Sequence, residues 1–496
     1  MKRTVIVLFS AAFLACYAYL SGSAVAVAQD EGVIFVLSER ASARSEDERS
    51  SVASRREARI AFSTKTAAEA DVPSVSFPLF DQTVHRARKA GFERRSADDY
   101  TWRGKTLDSA VESDVILTFR KGRLAGLIYS GQQVYEIVPK GDDTILVELD
   151  QSLFPECGGA VAGEKAVESR SADAVLAGAD SGDRIDVLVL YTASVKASLG
   201  GDAQAAVFAQ QAIDATNTAY INSRIRQRVR LAGVQETAMV ETGEFGTELS
   251  ALRADPAAAA ARNAVNADMV SMLTNSTAAC GIGYLMGGSL GNQNNAFTVT
   301  ARTCAVGNLS FAHELGHNMG SQHNPENGSG ATFIYGYGHY INGSYRTVMS
   351  YVDPCSSGCT RRPYFSNPAV MFSGFPTGVV DARDNARSIN NTADTIANYR
   401  YSGSSLTMTA FNARENFPLR VARNVTWTSD NLAGNVRIDL SRDEGQTWET
   451  LVASTANDGS ETLNIYGRPT RRARLRIQSL GDPTVSDSSI SDINLR

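Results

Sequence analysis

The alternation of hydrophobic and polar positions changes character several times along the chain. Residues 5–20 form an apolar run behind Lys2 and Arg3, followed by Ala26-Val27-Ala28. A basic start, a short apolar stretch and a small-residue exit predict a removable export signal over 1–28. A membrane anchor is one alternative; a lipid on Cys16 is another, although Phe13-Leu14-Ala15 matches such sites poorly. Residues 29 to about 75 are charged, rich in Ser, Ala and Arg and poor in aromatics, which predicts a mobile or loosely helical lead. From 76 to 154 the period shortens to two. SFPLFDQTV, DVILTFR, RLAGLIYS, QVYEIVP and TILVEL are separated by Lys-Gly, Ser-Gly and Gly-Asp turns, the pattern of a compact β domain. Pro155-Glu156-Cys157-Gly158-Gly159 closes it. The stretch rich in Ala, Gly, Ser and charge that runs on to 182 has the composition of an exposed, cleavable linker.

A new domain begins at 183. DRIDVLVLY is an apolar strand, and residues 202–224 carry apolar positions three and four apart, as a helix does. VRLAGVQE and ADMVSMLT follow as strands, with a helix over 257–265 between them. CGIGYLMGG and AFTVTART fit an edge strand and its neighbour, and 384–400 a closing helix. Alternating strands and helices predict an α/β (α+β) domain over 183–402 with a mixed, mostly parallel, five-stranded sheet. Over 403–496 strand-like runs recur about every ten residues, which predicts an all-β sandwich of immunoglobulin or fibronectin type. No catalytic constellation falls in it. It reads as a stabilising appendage, or one that binds a surface or polymer.

Composition narrows the partners. A chain of 496 residues holds three or so domains, and 48 basic against 53 acidic residues give −5, which argues against nucleic acid and against a basic membrane patch. Beyond the N-terminal run no segment has 18 uninterrupted apolar residues, so no stable membrane span is expected. Six cysteines are present. Cys16 leaves with the signal, and in an exported protein proximity pairs Cys280 with Cys304 and Cys355 with Cys359. Cys157 is left over.

The chemistry concentrates in 311–324, FAHELGHNMGSQHN. His313 and His317 are four apart, so both imidazoles leave one face of a helix and can hold one ion. Glu314 stands where it can touch a metal-activated water without being a ligand. Gly320 fits a left-handed helix end that turns the chain and returns His323 as a third donor. Three neutral imidazoles with a fourth position open describe a catalytic zinc site; structural sites are closed, usually by cysteines. Surface histidines on a helix are the bland alternative, but three of the five histidines in the chain fall at these positions. A surface or adhesion protein carrying a relic site would have no need of Glu314. Another zinc hydrolase, such as an amidase, would leave the edge strand unexplained.

His313–His323 with Thr347-Val348-Met349-Ser350-Tyr351 resembles the metzincin metalloendopeptidases. Within them, His317-Asn318-Met319-Gly320 resembles the reprolysin (adamalysin) group. PYFSNPAVMFSG and DNARSINNTADTIANYR are similar to secreted bacterial reprolysin-like enzymes, peptidyl-Asp metalloendopeptidases included. The resemblance covers 183–400 well, the β-rich propeptide loosely, and the C-terminal sandwich not at all. It implies a protein- or peptide-cutting zinc enzyme in which Met349 forms an apolar floor under the histidines. Tyr351 resembles the astacin and serralysin tyrosine that steadies a tetrahedral intermediate; a packed core tyrosine is the alternative. Asn324 replaces the Asp usual in reprolysins, a change bearing on the active-site turn more than on the metal. Cys157 in its Pro-Glu-Cys-Gly-Gly setting resembles a cysteine switch, its thiolate taking the fourth zinc position until the propeptide is cut away. An unpaired buried cysteine or a bridge to another chain is the alternative. An extended substrate is expected to add to the edge strand over 281–286, at Gly281, Ile282, Gly283 and Tyr284. The loop 355–364 is expected to wall a pocket in which Arg361 and Arg362 favour an acidic side chain after the cut; two solvated arginines are the alternative. His85 and His339 carry no expected role, and calcium (Ca2+) sites are left open.

Overall fold

The computed structural model describes residues 32–38, 52–81, 83–164, 179–288, 291–411 and 413–496. The expected export signal over 1–28, with Cys16, and most of the linker (165–178) lie outside the described residues.

The N-terminal unit is a nine-stranded antiparallel sheet. Its order is Phe35–Leu37, Ser54–Phe62, Asp143–Leu149, Gln133–Lys140, Arg123–Ser130, Asp114–Arg120, Asp99–Thr106, Val84–Arg94, Ser74–Pro78. Val33 bridges to Ser76, so the first and last strands meet and the sheet curls into a barrel. This corrects the expectation of a mobile or loosely helical lead. The lead supplies two strands and the short helix Ala67–Ala70. In SRREARIAF, Ala58 and Ile60 point into the barrel while Arg55 and Arg59 face out. Composition alone hides that period of two.

The central sheet runs Gly281–Tyr284, Phe297–Ala301, Met269–Thr274, Arg184–Tyr191, Arg228–Glu236. All neighbours are parallel except Gly281–Tyr284, which runs antiparallel to Phe297–Ala301 at the edge. Arg184–Tyr191 and Met269–Thr274 are buried throughout, as parallel strands covered on both faces must be. A sixth strand, Ala160–Val161, comes from the segment after the barrel and adds to the edge. The helix Asp202–Asn222 is wedged between this sheet and the barrel. Its buried polar positions are not solvated: Asp214 accepts from Thr101, Thr118 and Arg95 of the barrel, and Gln210 accepts from Arg120. A helix Phe245–Ala254 lies in a stretch left unassigned from sequence, and Asn385–Ile396 closes the domain.

The C-terminal residues form two sheets sharing one core. One holds Ser405–Met408, Arg423–Asp430 and Ser460–Leu463; the other is built on Val436–Ser441 and Thr470–Ser479. They dock on the start of the central domain, where Ser488 donates to Asp183 and Ser181 to the Ser486 carbonyl. Among the described residues no helix is long and apolar enough to cross a membrane. Cys280 pairs with Cys304 and Cys355 with Cys359, while Cys157 is unpaired.

Candidate metal centre

The helix Ser310–Asn318 is buried along its whole length. Its ending is dictated by Gly320, whose φ of +82° ends the helix and turns the chain. A Cβ there would also press Thr332 at 2.9 Å. Gly316 is needed for a different reason: a Cβ would stand 2.6 Å from Met349 Sδ, so Met349 packs directly under the helix.

The bend brings three rings together. His323 Nε2 lies 3.1 Å from His317 Nε2 and 3.1 Å from His313 Nε2. The far nitrogens fix the tautomers. His313 Nδ1 donates to the Val348 carbonyl at 2.8 Å and His317 Nδ1 to the Ser321 carbonyl at 2.9 Å. A carbonyl only accepts, so in His313 and His317 the proton sits on Nδ1 and the Nε2 lone pair is turned toward His323. Burial pushes His317 down to about 4, His323 to about 2 and His313 well below its ordinary value, so all three are neutral at pH 7. Three ring nitrogens gathered on one point are the donor set a cation takes. A tetrahedral zinc needs nitrogens about 3.3 Å apart, close to what is observed, so the donor set fits that ion.

Cys157 completes the group: its Sγ is 4.0 Å from His317 Nε2, and all four ligand atoms lie within 4.8 Å of one another. The segment carrying Cys157 reaches the site by extending the sheet. Ala160 and Val161 pair in parallel with Gly283 and Tyr284, and Gly158 N donates to Gly281 O at 2.7 Å. Ahead of the cysteine, Cys280 N donates to Glu156 O at 3.0 Å.

Glu314 is fully buried, and neither carboxyl oxygen has a hydrogen-bond partner. Burial raises it to about 8, while the neighbouring Cys157 thiol and the more distant Arg361 pull it down. The thiol is thus close enough to act on the carboxyl, but outside hydrogen-bond geometry. The edge strand explains how the side chain fits: a Cβ at Gly281 would stand 2.5 Å from Glu314 Oε1, and one at Gly283 3.1 Å from the Glu314 carbonyl. Ile282 and Tyr284 are buried, with the Arg253 guanidinium 4.5 Å above the Tyr284 ring.

Tyr351 stacks beside the rings, 4.2 Å from His323 between centroids, and its hydroxyl donates to the Cys157 carbonyl at 3.0 Å. Burial, then Cys157 and Glu314, raise its pKa. Asn324 Oδ1 accepts from Tyr351 N at 3.0 Å, so that residue holds the turn. Arg361 lies by the site, donating to the Asn308 and Ser350 carbonyls. Arg362 does not share its pocket. Adjacent residues of an extended pair point to opposite sides, and Arg362 donates to Gly131 O and Gln132 Oε1 of the barrel. The expectation of two arginines in one pocket is corrected to Arg361 alone of that pair.

Two further residues hold the site. Asn318 Nδ2 donates to the Tyr284 and Asn295 carbonyls at 2.8 Å each, tying the helix to the edge strand. Arg346 lies beside Arg361 in the parallel pairing of Tyr345–Arg346 with Thr360–Arg361. Asn318 stood inside the signature; nothing in the local pattern around Arg346 sets it apart.

The sequence profile of Metallo-peptidase family M12 matches residues 181–366. A peptidyl-Asp metalloendopeptidase of Stenotrophomonas maltophilia (strain R551-3) is 31% identical over 354 residues, 66% of this chain and 83% of that protein. One from strain K279a is 32% identical over 58% of this chain and 71% of its own length. One from Xanthomonas campestris pv. campestris is 31% identical over 60% and 73%. A solved chain from the structure of a chaperone–substrate complex superposes with a TM-score of 0.36 at 18% identity, over 55% of this chain and 39% of that one. That likeness is too loose to bear on fold or function.

Proposed function

The chain belongs to the reprolysin-like metallopeptidases of family M12 and is a metalloendopeptidase; from that premise we propose that it is an exported zinc enzyme, made latent by Cys157, that prefers peptide bonds preceding acidic residues. His313, His317 and His323 would hold the zinc, with Cys157 as a further ligand in the precursor. When bound, the ion supplies Lewis acidity, which polarises a carbonyl and acidifies water. Burial holds Glu314 toward its protonated form in this state. Once the segment around Cys157 leaves and exposes it to water and the cation, it becomes a carboxylate, takes the proton of the attacking water and hands it to the leaving nitrogen. Tyr351, freed from the Cys157 carbonyl when the propeptide leaves, donates a hydrogen bond to the oxygen that gains charge and keeps its proton. The main chain of Gly281–Tyr284, now paired with Ala160–Val161, binds the extended substrate.

The peptidyl-Asp names of the relatives and the buried Arg361 support the acidic preference. The basic-then-apolar N-terminus, two disulfides and bacterial relatives support export. The C-terminal sheets serve as an accessory module of immunoglobulin-like type, without a part in the chemistry.

The convergence of three Nε2 atoms beside an unpartnered Glu314 carries this reading. Casein hydrolysis by the processed protein tests it. A chelator should abolish hydrolysis and added zinc restore it. Glu314→Gln should keep one zinc per chain and lose at least about 100-fold in kcat. Undiminished hydrolysis by that variant would end the proposal.

A further inference from the structure

Arg346 and Arg361 pair across the short sheet that flanks the Met349 turn, and both are 2% exposed. Their guanidiniums close on one point: Arg346 Nη1 and Arg361 Nη2 each donate to the Ser350 carbonyl at 3.0 Å. Asn308 takes the rest, through Oδ1 from Arg346 at 3.3 Å and through its carbonyl from Arg361 at 2.9 Å. Among the described residues these acceptors are all uncharged, and the Nε of each arginine has no partner. Two like charges buried side by side on neutral acceptors are costly, and an apolar pair would serve a core better. Bracing Ser350 against Asn308 needs no second buried charge, and an approaching anion would offset the pair.

In this form of the protein one carboxylate that acts on both guanidiniums comes from the segment ahead of Cys157. Glu156 precedes Cys157, and its Oε1 accepts from Val352 N at 3.3 Å, two residues beyond the carbonyl on which both guanidiniums close. Burial lowers both arginines, and among the charges opposing that, Glu156 acts most strongly on each. Chain direction adds the register. The propeptide runs parallel to Gly281–Tyr284, with Glu156 at the Cys280 end. In a substrate lying in the opposite sense, the residue at that end is the one that follows the scissile bond.

We propose that Arg346 and Arg361 together form the pocket that reads an acidic substrate side chain after the cut, and that Glu156 fills this pocket in the precursor as a stand-in for that side chain. Latency then has two grips, a thiol toward the metal and a carboxylate facing the charge of the arginines. The inference rests on the endopeptidase reading above.

Three measurements on the zinc-loaded full-length chain and its activated form test it. In paired peptides differing only as Asp or Asn after the cut, Arg361→Lys and Arg346→Lys should each lower the Asp/Asn ratio of kcat/KM about tenfold, because Lys cannot make the forked contact. Arg362→Lys should leave the ratio alone. The Glu156→Gln precursor should show about tenfold higher background hydrolysis than wild type, yet match it after activation, when the propeptide is gone. To avoid dependence on the folding of arginine variants, a synthetic peptide of residues 154–160 with Ser in place of Cys157 should inhibit wild-type activated enzyme about tenfold better with Glu156 than with Gln. An unchanged Asp/Asn ratio in zinc-loaded Arg346→Lys and Arg361→Lys, or equal inhibition by the two peptides, would overturn the pocket. Equal latency of the Glu156→Gln precursor would overturn the stand-in. Activated wild type that cuts no peptide would instead strike at the endopeptidase reading.

Discussion

Tyr351 shows how one side chain serves two states. Its ring is fixed by His323 and its backbone by Asn324, so only the hydroxyl has a choice of partner. In this form of the protein that partner is the Cys157 carbonyl. Tyr351→Phe in the activated enzyme should lower kcat about tenfold with KM and zinc content unchanged, since a donor aimed at developing charge acts on the transition state alone. Unchanged kcat would leave the residue as packing. Gly281 makes the complementary point about space. Gly281→Ala sets a methyl against Glu314 Oε1, which must move or push the edge strand outward. Hydrolysis should fall about tenfold or more while metal analysis still finds one zinc; full activity would show that Glu314 has room the geometry does not reveal.

At the level of elements, the parts legible in sequence were those with a strong period or a fixed spacing. DRIDVLVLY and ADMVSMLT could only be covered strands, and they form the middle of the sheet. The HExxH spacing gave the helix, and Gly320 its end. Ser54–Phe62 and Val84–Arg94 escaped because their outward positions are Arg, Lys and Glu, which swamp an apolar set as small as Ala58 and Ile60. The role of Asp202–Asn222 was equally hidden. Its spacing marked a helix, but nothing local says that Gln210, Gln211 and Asp214 are sunk against a second domain. Arg361 and Arg362 illustrate the same limit at the site: neighbours in sequence, they serve opposite faces, and Arg346, fifteen positions earlier, is the true companion of Arg361.

For the whole molecule, the proposed latency would depend on the barrel staying docked, and that docking should respond to pH. Glu136 of the barrel is buried facing Gly307, and burial raises its carboxyl from 4.5 to about 8, against the pull of Arg302 and the Gly307 backbone. A carboxyl raised by folding favours the docked state most below its ordinary value, and that contribution is lost as pH climbs through about 8. Precursor denaturation midpoints should therefore fall between pH 5 and pH 8. Glu136→Gln should flatten that fall, and an identical slope in the variant would remove Glu136 as its source. Cys157→Ala tests the other hold directly. It should give a precursor that digests casein before processing, whereas a variant as silent as wild type would place latency in the barrel alone.

The anchoring of residues 180–183 sets a boundary on maturation. Asp180 takes two hydrogen bonds from Ser402, Ser181 holds Ser486, and Asp183 holds Ser488. These few residues, written at the tail of the propeptide, act as the rivet between the catalytic unit and the C-terminal sheets. A protease that trimmed past Asp183 would pull the rivet out along with the inhibitor. The finished enzyme should therefore begin upstream of Asp180, and N-terminal sequencing that found a later start on a protein with its C-terminal sheets still attached would show the joint to be dispensable.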